Sequence, residues 1–232
     1  MRIAVSGSYS TGKTITTMVL SKITGFPKTH ARTMREILPV TFPGKRLEEC
    51  APNELVELII RRNFERMIAE KTNGSKFIAD GGSIQEWAYC YGRVIAGFNP
   101  NENRWKCILN KILNYPRWKV FKEVMDAYGQ VVKIYARNNY DLIIHLPIEF
   151  PFNPDGHRPT SERFRKECDN ILRNCYNKLG IEILEVSGSI NSRINEICKK
   201  INLDINSDIE LIIEKCITIK EKLFDKIKLE QS

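Results

Sequence analysis

Apolar residues recur along the chain in two different rhythms. Residues 2–6 (RIAVS) form a short apolar run that predicts a strand, and behind it Ile15, Met18, Val19 and Ile23 fall on one helical face. Leu55, Leu58, Ile59, Phe64 and Met67 predict a helix over 53–70, and Lys76 to Asp80 a strand. A helix carrying Trp87, Ala88 and Tyr91 starts near Ile84. The stretch 101–137 reads as mostly helical with a break at Tyr115-Pro116, and 140–147 as a buried strand. Three prolines and a glycine make 151–159 a loop. An amphipathic helix over 161–178, a strand over 181–186 and helices near 190–201 and 207–228 complete the pattern. Strands separated by helices predict an α/β fold, a three-layer sandwich around a parallel sheet.

Composition narrows this picture. The 232 residues, 42% hydrophobic and 28% charged, suffice for a real core and exclude intrinsic disorder, collagen-like repeats and a disulfide mini-scaffold. The expected organisation is one domain over 1–202, with a helical insertion at about 84–137 and a lid at about 151–178, followed by a helical appendage over 203–232. Lys and Arg number 36 against 28 Asp and Glu, a formal charge of +8 that points to an anionic partner. None of the seven cysteines forms a C-x-x-C pair, so neither a zinc site nor a redox motif is signalled, and buried reduced thiols are expected. The opening MRIAVSG is too short an apolar stretch for a signal peptide, and no window reaches the roughly 18 apolar residues of a membrane helix. A cytoplasmic protein without a membrane partner is expected.

The most specific chemical signal is Gly7-Ser8-Tyr9-Ser10-Thr11-Gly12-Lys13-Thr14, a complete G-x-x-x-x-G-K-[ST] phosphate-binding loop between a strand and a helix. Its glycines let successive amide N–H groups converge on phosphate oxygens, and the helix behind aims its positive end at the same anion. Lys13 is placed to reach the β- and γ-phosphates, and the Thr14 hydroxyl to ligate Mg²⁺. No base-reading side chain is evident, which leaves ATP and GTP open at the level of the residues. Asp80, ending its strand before Gly81-Gly82, is the candidate second carboxylate at the metal, either as a magnesium ligand or as a general base.

The segment 155–166 (DGHRPTSERFRK) leaves a proline-rich loop and enters a cationic helix. Arg158 and Arg163 are the candidates for stabilising charge on a transferring phosphoryl group, with Arg165 beside them. His145, inside an apolar strand, reads as a core histidine. Ser187-Gly188-Ser189 makes a tight turn that either borders an adenine or simply joins strand to helix.

In order and spacing over roughly residues 1–200, the chain resembles the ribosylnicotinamide-kinase domain of bacterial NAD-biosynthesis proteins, NadR-like members of the AAA/P-loop ATPases. The resemblance rests on GSYSTGKT, HARTMRE, FIADGGSIQEWAYC, DGHR with its following helix, and IEILEVSG. It implies a nucleoside-kinase-like P-loop NTPase with a parallel sheet and helical lid, using ATP and Mg²⁺. Where that family carries glutamate at the end of its second strand, this chain has Thr29, in Thr29-His30-Ala31-Arg32; where it carries D-T-D, this chain has Asp80-Gly81-Gly82. Both departures fall on the acceptor side. Arg32, Arg35 and Asp155 are the candidate acceptor-binding residues.

The leading expectation is therefore a phosphotransferase that moves the γ-phosphoryl group of ATP to a hydroxyl of a small, nucleoside-like molecule. A nucleotide-gated ATPase or regulatory binding module is the second reading. A polynucleotide kinase is the third, because residues 104–137 interleave eight bases with Trp105, Tyr115, Trp118, Phe121 and Tyr128. The same pattern also fits an amphipathic helical pair whose aromatics pack inward.

Overall fold

A computed structural model describes residues 1–29, 31–151, 161–205 and 208–229, without the side chains of 35, 48 and 224–229. Five strands, β1 (Arg2–Ser6), β2 (Lys28–Thr29), β3 (Phe77–Asp80), β4 (Leu142–His145) and β5 (Glu182–Glu185), form one parallel sheet in the order β2-β3-β1-β4-β5. The register sets Val5 opposite Asp80 and Ser6 opposite His145, so the carboxyl ends of three neighbouring strands open onto one edge.

Alternation along the strands divides the core between the two faces. Ile3 and Val5 of β1, with Ile78, Leu142 and Ile144, pack against α1 (Lys13–Thr24), α8 (Ile190–Lys200) and α9 (Ile209–Leu229). Ala4, Phe77, Ala79 and Ile143 face the opposite way, against α4 (Ser83–Ala96), α6 (Tyr115–Asn139) and α7 (Glu162–Asn177). This is the predicted three-layer arrangement. The C-terminal helix α9 sits in the same apolar cluster as β1 and α1, through Ile209, Ile212, Ile213, Cys216 and Ile217.

Helix α4 is the spine of its layer, walled by α3 (Pro52–Thr72), α6 and α7. At its crossing with α6 a Cβ on Gly129 would stand 2.7 Å from the Trp87 ring nitrogen, so only glycine allows the two helices to meet there. The indole donates to the Met125 carbonyl at 2.7 Å from within this contact.

The helical insertion breaks where Tyr115-Pro116 predicts, into α5 (Arg104–Leu113) and α6, with the proline in the first turn of α6 where no N–H is needed. Its aromatics divide rather than all packing inward. Phe121 is buried and Trp118 donates to the Val94 carbonyl, whereas Trp105 and Tyr115 face solvent. Sequence periodicity gives no sign of α2 (Met34–Thr41), which is short and contains Pro39. A local device starts it instead: Glu36 accepts from the Thr33 backbone N–H and hydroxyl at 2.6 and 2.7 Å.

All seven cysteines are free thiols buried in the layers. No helix among the described residues is long and apolar enough to cross a membrane.

Candidate active site

Residues 7–12 leave β1 and turn into α1 through three left-handed or positive-φ positions, Gly7 at 142°, Ser10 at 60° and Gly12 at 94°. Such a sequence of dihedrals points consecutive N–H groups to one side and makes a concave anion cradle. Gly7 is required twice over, since a Cβ would also lie 2.5 Å from the Leu146 carbonyl oxygen. Ser10 holds a left-handed conformation without being glycine, a strain of the kind found where a backbone is shaped for a ligand.

Three buried side chains from distant elements hold the outer carbonyls of this loop. Gln85 of α4 donates to Gly7 O at 2.5 Å. Arg165 of α7, 1% exposed, donates to Tyr9 O at 2.9 Å and to Phe150 O at 2.8 Å. Arg193 of α8, also 1% exposed, donates to Thr11 O at 2.7 Å. With the carbonyls drawn outward, the amides are left facing the cradle. Arg193 is fixed by Glu149, whose other oxygen accepts from the Gly188 N–H at 2.7 Å. The Gly188 turn is thereby tied to the phosphate loop, and Ser189 caps α8 by accepting from Ser192 N at 3.1 Å.

Lys13 opens α1 and places its Nζ 2.6 Å from Ser8 O, folded over the loop it belongs to. Thr14 follows in the first helical turn, half-buried. The backbone shape, the helix N-terminus and these two side chains are the donor set that a triphosphate with Mg²⁺ demands, so the residues fit that group.

Asp80 closes β3 beside β1, half-buried at the carboxyl edge of the sheet. Its backbone carbonyl accepts from Arg66 at 2.9 Å, as does Gly81 O at 3.0 Å. The same guanidinium, 1% exposed, pairs with Glu86 at 3.0 Å, and Glu86 also receives Arg62 at 2.7 Å. Burial lowers the Arg62 pKa, with Glu86 opposing that shift. Behind this network, burial raises the Glu70 carboxyl above its ordinary value, although Tyr135 and Tyr140 donate to it at 2.8 and 2.9 Å. The Tyr140 hydroxyl in turn accepts from Ser83 N at 3.0 Å, which anchors the turn after Asp80.

The remaining sequence candidates are placed as follows. Arg163 is exposed on α7 while its neighbour Arg165 grips the phosphate loop. Asp155 and Arg158 lie outside the described residues. Arg32 forms a two-pronged pair with Glu65 of α3, with Nε at 3.1 Å. Arg35 sits at the start of α2, and its side chain is outside the description. Thr29 ends β2 with a buried hydroxyl that has no hydrogen-bond partner among the described residues. His145 is a buried core histidine whose Nε2 lies 3.3 Å from an Asp169 carboxylate oxygen.

Sequence reasoning missed Gln85, Arg193, Arg66 and Glu86, and gave Arg165 a different task. The available signal was polarity inside apolar helix faces, as in the SIQEWA stretch of α4.

Comparison with known proteins places this geometry. A search of curated proteins by sequence gives no match. Among solved structures, deoxyadenosine kinase from M. mycoides with bound dATP superposes with a TM-score of 0.60 at 13% identity, covering 87% of this chain and all of that one. NadR in complex with NAD and AMP-PNP gives 0.55 at 13% identity, with 89% of this chain matching 51% of that chain. NadR in complex with NR gives 0.55 at 16% identity over 89% and 53%. These likenesses show the fold, that of P-loop nucleoside kinases. The family described as AAA domain matches residues 2–193, and the chain belongs to it.

Proposed function

We propose that the protein is an ATP·Mg²⁺-dependent kinase that transfers the γ-phosphoryl group to a hydroxyl of a small, nucleoside-like molecule. One observation carries this reading: a phosphate cradle at the head of α1, with a half-exposed carboxylate ending the adjacent strand. Gly7 to Thr14 would hold the triphosphate, and Lys13 would exchange the Ser8 carbonyl for phosphate oxygens. Thr14 and Asp80 would hold the metal ion, which would supply charge neutralisation to the phosphates. In the alternative role, Asp80 would accept the acceptor's hydroxyl proton. Arg158 and Arg163, with Asp155, are the proposed lid and acceptor contacts, and Arg32 and Arg35 the proposed contacts on the other side of the pocket.

The test is acceptor-dependent ADP release across a nucleoside panel. Lys13→Ala should abolish transfer while the melting transition stays in place, because the proposed work of Nζ is on phosphate oxygens and not in the core. Retained turnover in that variant sinks the kinase reading. ATP hydrolysis indifferent to every acceptor would instead establish a nucleotide-gated ATPase. Thr29, standing at the acceptor side without a carboxylate, is the observation that keeps that second reading in play.

A further inference from the structure

Helix α5 carries its amphipathic pattern inside out. A surface helix ordinarily turns its apolar stripe to the core and its polar residues to water. In α5 only Cys107 is buried. It is seated against Gly97, where a Cβ would stand 2.9 Å from the Cys107 Cβ, and this close fit fixes the rotation of the helix. The rest of the inward side is polar. Asn99, Glu102, Asn110, Lys111 and Asn114 line, with Cys107, a cavity of about 280 Å³, and Asn110 donates to Glu102 at 3.0 Å. Trp105, Ile108, Leu109, Ile112 and Leu113 point the other way, between 41% and 79% exposed. At about 100° per residue they fill one arc of roughly 140° opposite Cys107, with Arg104 at one margin and Lys106 at the other.

Charge along this segment has one sign. Residues 104–119 hold five bases, Arg104, Lys106, Lys111, Arg117 and Lys119, and no acid. Lys111 lies over the Trp118 ring at 3.9 Å, and Lys119 reaches Glu123 at 4.0 Å. Arg104, Lys106 and Arg117 are exposed and have no carboxylate partner among the described residues. We propose that α5 lies in the surface of an anionic lipid bilayer, with its apolar arc at the acyl-chain boundary and the flanking bases at the lipid phosphates. Reversible anchoring takes two signals, an apolar insertion and a basic patch, and α5 supplies both. A tryptophan on the arc suits the interface as well. The helix lies in the membrane plane, so the lack of a spanning helix does not bear on this contact, and the expectation of no membrane partner is set aside.

Other occupants fit less well. A second copy of the face would bring five bases against five. Single-stranded nucleic acid binds by stacking its bases on rings, and only Trp105 of the segment's aromatics lies on the arc, whose other four positions are aliphatic.

Co-sedimentation of the full chain with vesicles tests the proposal, which stands independently of the kinase reading. Phosphatidylcholine vesicles containing phosphatidylserine should bind the chain about tenfold or more tightly than pure phosphatidylcholine, and high salt should release it. Leu109→Glu with Ile112→Glu, both at exposed positions, should abolish binding while the far-UV spectrum and the melting transition stay unchanged. Arg104→Gln with Lys106→Gln should weaken binding about tenfold. Binding should shift tryptophan emission to the blue, and Trp105→Phe should remove that shift while the chain still binds. No preference for anionic vesicles overturns the proposal, as does binding that survives both glutamates or a blue shift that survives Trp105→Phe. So does a chain that ignores vesicles but uses the arc to self-associate or to bind single-stranded RNA or polyglutamate, each read as a loss on Leu109→Glu with Ile112→Glu.

Discussion

The two halves of the candidate site, the phosphate loop and the end of β3, are built in opposite ways. On the nucleotide side the reactive surface is backbone: a short loop shapes the cradle, and buried Gln85, Arg165 and Arg193 hold its carbonyls from outside. Around Asp80 the construction is of side chains, most of them buried. Arg62, Arg66 and Glu86 from two helices converge below Asp80, and Arg32 is locked to Glu65. A phosphate chain is the same in every nucleotide, so its receptor can be a fixed backbone motif. A carboxylate at a strand end has no such motif, and the turn that follows it rests on a buried ion-pair network that cannot be exchanged without cost.

That contrast can be broken at its strongest point first. Arg66→Met removes the donor to the Asp80 and Gly81 carbonyls and leaves Glu86 with Arg62 alone, and should cost about 3–5 kcal/mol in a denaturant titration. A loss below 1 kcal/mol would mean that the turn after Asp80 is not organised by this ion pair. Next is Arg193→Met, which frees the Thr11 carbonyl and Glu149 together. We expect a loss of about 2–3 kcal/mol, accompanied by weaker nucleotide binding in calorimetry. If stability falls and nucleotide affinity does not, Arg193 supports the fold and not the cradle. Gln85→Ala removes one hydrogen bond to Gly7, and should weaken nucleotide binding about tenfold, equivalent to ~1.4 kcal/mol.

The smallest effect is a pH slope. Between the ordinary carboxyl value of 4.5 and the raised native value of Glu70, the folded chain keeps a proton that the unfolded chain has released. The Glu70 contribution to stability therefore falls as pH rises through that window. Glu70→Gln should remove this component, so that the stability difference between parent and variant widens in the variant's favour above pH 4.5. A difference independent of pH would show that Glu70 titrates alike in both states.

Legibility in the sequence followed the same division. The glycine-lysine loop and the position of Asp80 at a strand end were readable because each adjoins a short apolar run, and the strand-helix alternation was readable because both periods are strong. The braces were not, since a buried arginine that serves a backbone carbonyl has no local signature; Arg165 looks in sequence like any cation on a charged lid helix. Helix α6 failed differently. Its inward residues, Phe121, Met125, Val132 and Ala136, and its outward residues, Val120, Val124, Val131 and Ile134, are both regular helical sets. Periodicity announces an apolar face without saying whether the same molecule covers it.

The long reach of the braces has a consequence for how the protein is made. Arg165 and Arg193 lie 156 and 182 positions beyond the carbonyls they hold, and β1 pairs with a strand some 139 positions away. During synthesis the nucleotide loop therefore emerges long before the residues that shape it. Its assembly belongs to the late, high-contact-order part of folding, after long stretches of chain have been closed into loops. Nascent chains halted before residue 193 would carry the whole motif and still lack one of the cations that hold it open to phosphate, so nucleotide capture becomes a report that most of the domain has been completed.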